Sequence, residues 1–317
     1  MKSIQIIRTH TSPYQGKDFA AKEKQALEAL GITYTNPENH DPDLTTILIT
    51  NTHTLLRELP QDLLARTSLI LHPNSGYDNF TQDHELWKSI PIIIGHKIRA
   101  QAVAEYSLSC LFEGLTELPQ HLHWNKERRW ERSLIQEQKI SIFGFGHIGK
   151  IIAQTLSSLG CKIQVIDPYI KNCPYPHYKN FEEAPSARVV MVACGLNETS
   201  RRMFDQKFFK TAPDNLLFIN GARGKLVDES ALREFLLSNP KAFAFLDVFE
   251  NEPFGPEWSS FPQTWKTSHI AGVSKNLDQQ IIDFEVEVLK DYIAGMDMKK
   301  QYAEELLQNK YREGVLI

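Results

Sequence analysis

The sequence contains few cysteines, no long hydrophobic run and no excess of one charge. Only four of its 317 residues are cysteine, at positions 110, 161, 173 and 194, and they form neither a C-x-x-C pair nor a Cys/His group with zinc spacing. No apolar run approaches the roughly 18 residues that a membrane span needs, and the N-terminal segment lacks the apolar core of a secretory signal. These absences predict a cytoplasmic protein with reduced thiols and no metal site.

The charge balance argues against nucleic-acid binding. The formal net charge is -4, and in the one strongly basic stretch, HLHWNKERRWERS, the arginines alternate with acids. With 42% hydrophobic and 23% charged residues, the composition is that of a soluble globular protein. A chain of 317 residues is long enough for about two domains. We therefore expect neither nucleic acid nor a membrane as a binding partner.

Strand-like and helix-like segments alternate along the whole chain. In the first hundred residues, strand candidates at 3–7, 46–50, 68–71 and 91–94 accompany a helix candidate at 19–30. A long helix is predicted over 100–118, followed by helices at 148–159, 229–237 and 281–293. The later strand candidates are KISIFGF, KIQVID, ARVVMVAC, NLLFING and AFAFLDV. Such alternation predicts an α/β fold built from βαβ units with parallel sheets.

A glycine motif marks a candidate dinucleotide site. The stretch GFGHIG places Gly144, Gly146 and Gly149 in G-x-G-x-x-G spacing, after a strand and at the start of a helix. The next strand ends at Asp167, near the spacing expected for an acid that accepts hydrogen bonds from a ribose and repels the extra phosphate of NADP. The motif predicts NAD binding; the alternative is a packing turn followed by a solvent-facing acid.

Five further stretches carry a family resemblance. NSGYDNF, AVAEYSL, INGARGKLVDESAL, FLDVFENEP and TSHIAG, in this order, resemble the D-isomer-specific 2-hydroxyacid dehydrogenase family over nearly the whole chain. The resemblance implies a discontinuous, flavodoxin-like substrate domain (residues 1–99 plus 271–317) and an inserted NAD-binding Rossmann domain (residues 100–270). It also implies an active site in the cleft between the domains, two long joining helices, and a homodimer.

The resemblance also assigns the catalytic residues, and their chemistry suits the assignment. In the reduction of a 2-keto acid, His269 would donate a proton to the carbonyl oxygen, and Glu252 would orient the imidazole. Arg223 would bind the substrate carboxylate and polarise the carbonyl. The backbone N–H groups around Ser75 and Gly76 would hold the carboxylate further. Each of these residues, taken alone, also fits an ordinary surface role.

Further residues of this chain match the family's cofactor-contacting positions. The acid after the AFAFL strand would lie near the nicotinamide, and several of the other contacts would be made by backbone atoms. For the cysteine the alternative is a packed thiol at a strand end, and for the threonine a helix cap. These cofactor candidates are His147, Ile148, Cys194, Thr199, Gly221, Ala222 and Asp247.

The sequence departs from the family pattern at three places. Ser268 stands where the family has proline before the histidine, and Gly195 stands where proline is frequent, so both loops gain backbone freedom. Lys97 and Arg99 add basic charge near the expected cleft. We favour a snorkelling or solvent-facing pair; the competing hypothesis is that Arg99 recognises a second acidic group of the substrate.

Three functions are compatible with these motifs. The first is an NAD-dependent 2-hydroxyacid dehydrogenase that reduces a small 2-keto acid. The second is a non-enzymatic NAD(H)-sensing, corepressor-like protein, which can retain the same three residues. The third is a reductase of the same family that acts on a phosphorylated acid, although such enzymes often carry an additional C-terminal region.

Overall fold

The computed structural model describes residues 4–317 except 131, 260, 313 and 314. The chain forms two compact units, residues 1–99 with 273–317, and residues 100–272. The tail therefore returns to the unit in which the chain begins. Across the described residues, no helix combines the length and apolar character that crossing a membrane requires.

The elements alternate along the chain as follows. The strands are β1 (Ile4–Arg8), β2 (Thr33–Thr35), β3 (Thr45–Ile49), β4 (Thr67–His72), β5 (Ile92–Ile94), β6 (Lys139–Phe143), β7 (Lys162–Ile166), β8 (His177–Tyr178), β9 (Val189–Val192), β10 (Leu217–Asn220), β11 (Phe243–Leu246), β12 (Thr264–Lys266), β13 (Tyr311–Arg312) and β14 (Val315–Leu316). The α-helices are α1 (Phe19–Glu28), α2 (Gln61–Arg66), α3 (His84–Trp87), α4 (Ala100–Thr116), α5 (His147–Ser158), α6 (Gln206–Thr211), α7 (Glu229–Ser238), α8 (Pro256–Ser259), α9 (Leu277–Ile293) and α10 (Met298–Gln301).

The first unit contains a five-stranded parallel sheet in the order β2-β1-β3-β4-β5. Its central strands are continuous apolar runs because helices cover both faces, and Ile47, Leu48 and Ile49 are fully buried. The order corresponds to the flavodoxin-like arrangement. A short antiparallel ribbon, β13-β14, completes the strands of this unit.

The second unit contains a seven-stranded parallel sheet in the order β12-β11-β10-β9-β6-β7-β8. Its first strand, β6, lies inside the sheet, with β7 on one side and β9 on the other. The chain order therefore reverses at β6, as in the dinucleotide-binding fold, where ligands bind at the carboxyl edge of the strands near this switch point. The prediction of an α/β fold with parallel sheets is confirmed.

Element boundaries differ from the predictions by a few residues, for local reasons. Helix α4 ends at Thr116, because Glu117 takes a left-handed conformation with φ 47° and Pro119 follows. Helix α9 begins at Leu277, one turn before the predicted start, and Leu277 is buried. Five short strands were not predicted, since each has only two or three residues and none contains three consecutive apolar residues: β2, β8, β12, β13 and β14. The predicted strand at 3–7 includes Ser3, which lies outside the described residues.

A buried ionic cluster joins distant segments of the first unit. Arg8 on β1 donates to both carboxylate oxygens of Glu23 on α1, and also to Oε1 of Glu285 on α9. Both glutamates are fully buried, and the hydroxyl of Tyr34 donates to Glu23 at 2.6 Å. Oε2 of Glu285 has no hydrogen-bond partner among the described residues. Burial raises the pKa of Glu285 well above its usual value, with Arg8 opposing and Glu23 reinforcing the shift, which favours the protonated form of this carboxyl.

We expect Glu285→Gln to make stability less dependent on pH. A carboxyl with a raised folded pKa contributes stability below its unfolded pKa of 4.5 and loses that contribution as pH rises through the folded value. Glutamine keeps the shape and cannot ionise. In urea unfolding at about pH 6 and about pH 9, the free energy of unfolding should therefore fall less for the variant than for the unmodified protein. The control is Glu287→Gln, an exposed position on α9; equal losses in Glu285→Gln and the unmodified protein would contradict the assignment.

Candidate active site

The glycine motif forms the turn between β6 and α5, and the surroundings of each glycine differ. Gly144 has φ +94°, and a Cβ there would lie 2.6 Å from the Cα of Cys194. A Cβ at Gly149 would lie 2.1 Å from the carbonyl oxygen of Gly144, so only glycine allows this close packing. A Cβ at Gly146 would meet nothing within 4 Å. The open side of Gly146 and the start of α5 at His147 suit a pyrophosphate, because helix N-termini favour anions.

Asp167 follows β7 and is fixed to the glycine turn. Its Oδ2 accepts the backbone N–H of Phe145 at 2.8 Å, and its Oδ1 accepts that of Tyr169 at 2.9 Å. A carboxylate has about four lone-pair sites, so both oxygens keep capacity for the hydroxyls of a ribose. The acid is therefore held by the same turn that would receive the pyrophosphate, and the turn and acid together fit a dinucleotide.

The side chains of Cys194 and Thr199 are engaged within the protein. Burial raises the pKa of the Cys194 thiol to about 12, so the thiol stays neutral, and it packs 4.0 Å from the sulfur of Met203. The hydroxyl of Thr199 donates to Oδ1 of Asn197 at 2.8 Å and accepts from the hydroxyl of Tyr169. These contacts favour the packed thiol and an internal role for the threonine side chain. Cofactor contacts by either residue would involve backbone atoms.

A buried asparagine shapes the turn that carries Arg223. Oδ1 of Asn220 accepts the N–H of Ala222, and Nδ2 donates to the carbonyl oxygen of Arg223, each at 3.0 Å. The half-buried Arg223 side chain donates to the carbonyl of Ala222 at 2.8 Å. A Cβ at Gly224 would lie 1.9 Å from the carbonyl carbon of Phe249. Glycine at 224 thus lets the Arg223 turn contact the backbone of the loop that carries Glu252.

His269 and Glu252 form a hydrogen-bonded pair. Nδ1 of His269 lies 2.8 Å from Oε2 of Glu252, while Oε1 accepts the N–H of Phe249 at 3.1 Å. A carboxylate only accepts hydrogen bonds, so Nδ1 carries the hydrogen and Nε2 is the nitrogen that exchanges a proton with a ligand. The side chains are 50% and 38% exposed, so both remain accessible to solvent. Ser268 in place of proline leaves this pair intact.

The electrostatics keep Glu252 ionised. Burial acts to raise its pKa, but the hydrogen bond and charge of His269 act the other way, together with the Phe249 N–H and the charge of Arg223. The net effect lowers the pKa of Glu252 below its usual value. An ionised Glu252 is a hydrogen-bond acceptor for the N–H at Nδ1 of His269.

Asp247 holds the histidine loop in place. It is 1% exposed, and its carboxylate accepts hydrogen bonds from the hydroxyl of Thr267 at 2.6 Å and from the N–H groups of Ile270 and Ala271 at 2.8 Å. Its carbonyl oxygen accepts the N–H of His269, also at 2.8 Å. The carboxylate and the carbonyl oxygen of Asp247 thus both bond to this loop, which gives Asp247 a positioning role; the expected cofactor contact stays a prediction.

This anchoring explains how His269 tolerates a left-handed backbone. Its φ is 56°, a conformation that costs a non-glycine residue about 1–3 kcal/mol. Hydrogen bonds to a charged group contribute about 1.5–3 kcal/mol each, and Asp247 accepts three through its carboxylate. The charged hydrogen bonds therefore outweigh the backbone strain and fix the direction of the imidazole.

The other predicted substrate residues lie in the first unit, where one prediction, that for Arg99, is wrong. Ser75 and Gly76 lie in the loop after β4. Lys97 is about half-exposed and forms ion pairs with acidic residues of the tail, as the favoured interpretation expects. The same interpretation is wrong for Arg99, which is only 8% exposed. Its guanidinium points inward, because backbone and tyrosine oxygens of the same unit accept its N–H groups.

Sequence reasoning missed two residues with defined contacts at these loops. Asn220 and His72 end their strands, and each uses its side chain to shape the loop that follows. Their positions in the sequence could have indicated this role. Each is a polar residue at the end of an apolar strand, where the ligand-binding loops of a parallel sheet begin.

Residues 108–271 match the family described as the D-isomer specific 2-hydroxyacid dehydrogenase, NAD binding domain. The match covers just over half of the chain and includes Arg223, Glu252 and His269. It begins inside α4 and ends one residue before the close of the second unit.

Individual relatives agree with this match and differ in substrate. An erythronate-4-phosphate dehydrogenase of Acinetobacter baumannii (strain ACICU) is 30% identical over 236 residues, which are 66% of this chain and 61% of the relative. A 4-methyl-2-oxopentanoate reductase A of Aspergillus oryzae is 29% identical over 63% of this chain and 62% of its own length. The matches thus span about three fifths of each of these relatives. A crystal structure of D-lactate dehydrogenase from Aquifex aeolicus, with NAD and lactic acid, has a TM-score of 0.74 at 18% identity and covers 96% of this chain and 99% of its own.

We expect Asp247→Asn to destabilise the protein by about 2–4 kcal/mol, because hydrogen bonds to a charged group are lost and one acceptor becomes an amide donor. Urea unfolding measures the change. Asp214→Asn, at an exposed acid of the same unit, is the control and should change stability by less than about 0.5 kcal/mol. A loss below about 1 kcal/mol in Asp247→Asn would contradict the anchoring role.

Proposed function

The chain belongs to the D-isomer specific 2-hydroxyacid dehydrogenase family, and from this membership we propose that it reduces a small 2-keto acid to the D-2-hydroxy acid with NADH. It is thus an oxidoreductase of the CH–OH group with a nicotinamide cofactor. The observation that carries the proposal is the 2.8 Å pair of His269 and Glu252. This pair sits on loops that follow neighbouring strands of the sheet that also carries the glycine turn.

The residues have distinct roles in the proposed reaction. When bound, the nicotinamide would supply a hydride for the carbonyl carbon. His269 donates the proton from Nε2 to the carbonyl oxygen, and Glu252 keeps Nδ1 protonated and the ring oriented. Arg223 binds the carboxylate and stabilises the negative charge that develops on the oxygen. In the first unit, Ser75 and Gly76 hold the carboxylate through backbone N–H groups.

We propose NAD rather than NADP as the cofactor. The pyrophosphate would bind at the glycine turn, and Asp167 would accept hydrogen bonds from the ribose. Its charge disfavours a second phosphate at the same place. Backbone atoms of His147, Ile148, Gly221 and Ala222 would complete the cofactor contacts, as the family resemblance implies.

Two further proposals concern the state of the protein in the cell. A homodimer and a cytoplasmic location both follow from the family resemblance. Exposed aromatic residues on the second unit, Trp124 at 79% and Trp130 at 39% exposed, are consistent with a surface that another subunit covers. Sedimentation of the purified protein as a monomer would contradict the dimer.

We expect the purified protein to oxidise NADH with at least one acid in a panel of 2-keto acids that includes branched-chain and phosphorylated compounds. His269→Ala should lower kcat by about 100-fold or more, because it removes the proton donor. The dissociation constant of NADH, measured by fluorescence, should stay unchanged. The control is His123→Ala, at an exposed histidine of the same unit.

The panel also separates the competing functions. Turnover of phosphorylated acids alone would identify the third function considered above. Tight NADH binding without turnover of any acid would favour the non-enzymatic sensor. Full activity of His269→Ala would contradict the proposed mechanism.

We expect Asp167→Ala to lower the ratio of kcat/KM with NADH to kcat/KM with NADPH by at least about tenfold, which corresponds to the lower end of the range for one hydrogen bond to a charged group. The ratio is the informative readout, because Asp167 also holds the N–H of Phe145 and its loss can weaken both cofactors. Asp214→Ala serves as the control at an exposed acid. A preference of the unmodified protein for NADPH would contradict the cofactor proposal.

A further inference from the structure

The loop after β4, residues 73–77 (PNSGY), is held from inside the first unit by Arg99. The guanidinium donates through Nη1 to the carbonyl oxygen of Pro73 and through Nη2 to the hydroxyl of Tyr14 at 2.8 Å. It also lies over the ring of Tyr14, 5.6 Å from the centroid. Arg99 is buried, so its guanidinium lies within the unit and away from solvent.

A buried histidine holds the other end of the same loop. His72 is fully buried, and its Nε2 lies 2.8 Å from the carbonyl oxygen of Gly76. A carbonyl only accepts, so Nε2 carries the hydrogen, while Nδ1 meets the hydroxyl of Thr50 at 2.9 Å. Close packing adds to this restraint, because a Cβ at Gly95 would lie 2.8 Å from the Cα of Pro73.

These contacts orient the backbone N–H groups of the loop. In a trans peptide the N–H points opposite to the carbonyl, so the N–H of Asn74 points away from Arg99. Among the residues that the structure describes, no acceptor within the protein is found for the backbone N–H groups of Asn74, Ser75 and Gly76. Three successive free donors, backed by a buried cation, form a site with the chemistry to bind a carboxylate.

We infer that Arg99 is a positioning residue for carboxylate binding by the PNSGY loop, through its hydrogen bond to Pro73 and its buried charge. The inference rests on the proposed function and deepens it. Arg99 thereby acts on the carboxylate common to all 2-keto acids. This role differs from the recognition of a second acidic group, because both terminal nitrogens of Arg99 donate to oxygens of its own unit.

The test compares Arg99→Met with Lys97→Met in the full-length protein. Both variants remove one cation of the same segment, but Lys97 bonds to Glu304 and Glu305 and has no contact with the loop among its hydrogen bonds. Calorimetry with oxamate, an unreactive 2-keto acid analogue, in the presence of NADH measures carboxylate binding without turnover. We expect about tenfold weaker binding for Arg99→Met, partial recovery for Arg99→Lys, and a change below about twofold for Lys97→Met.

Steady-state kinetics supply the second readout. For Arg99→Met, KM should rise by the same factor for a mono-acid and a di-acid, while kcat and the dissociation constant of NADH change by less than about twofold. Unchanged oxamate binding, or a loss confined to the di-acid, would overturn the inference. Oxamate binding that depends on Arg99 in a protein without turnover would refute the proposed dehydrogenase function and leave the inference standing.

Discussion

The geometry of the candidate active site depends on one buried carboxylate, that of Asp247. Asp247 directly follows β11, and its carboxylate binds the loop that follows β12, so the loops of two neighbouring strands are joined by hydrogen bonds to a single charge. Because the same loop carries His269 in a left-handed conformation, the direction of the imidazole follows from this anchor. Without it, the contact between His269 and Glu252 would have to be maintained by two half-exposed side chains, which ordinarily stabilise a structure only weakly.

The parallel sheet explains why these residues meet. The glycine turn follows β6, Asp167 follows β7 and Cys194 follows β9, while Arg223, Glu252 and His269 come after β10, β11 and β12. In an all-parallel sheet every one of these loops leaves the same edge. The turn that suits a dinucleotide and the pair that exchanges a proton are therefore both held by one sheet. Short loops at the ends of its strands are enough to bring these residues to the same edge.

The sequence was informative where a feature is periodic or local. The buried strands, the long helices and the glycine motif can each be recognised from one continuous stretch of sequence, by its apolar pattern or its spacing. The ion cluster of Arg8 and Glu285 could not be predicted, since its members lie 277 positions apart and helical spacing does not reveal which partner a buried charge has. The inward direction of Arg99 was missed for the same reason: its acceptors are a backbone carbonyl and a distant tyrosine.

Charge is distributed in the protein according to what each group must do. Asp247 and Arg99 are buried and bond to backbone groups or hydroxyls, so each holds a loop in place. His269 and Glu252 are left half-exposed, because a group that gives up a proton must be able to recover one from solvent. Burial of this pair would strengthen the hydrogen bond but disfavour the ionised forms that the proposed reaction uses. Asp247 and Arg99 thus hold their loops from inside the protein, while the proton that His269 exchanges stays accessible to solvent.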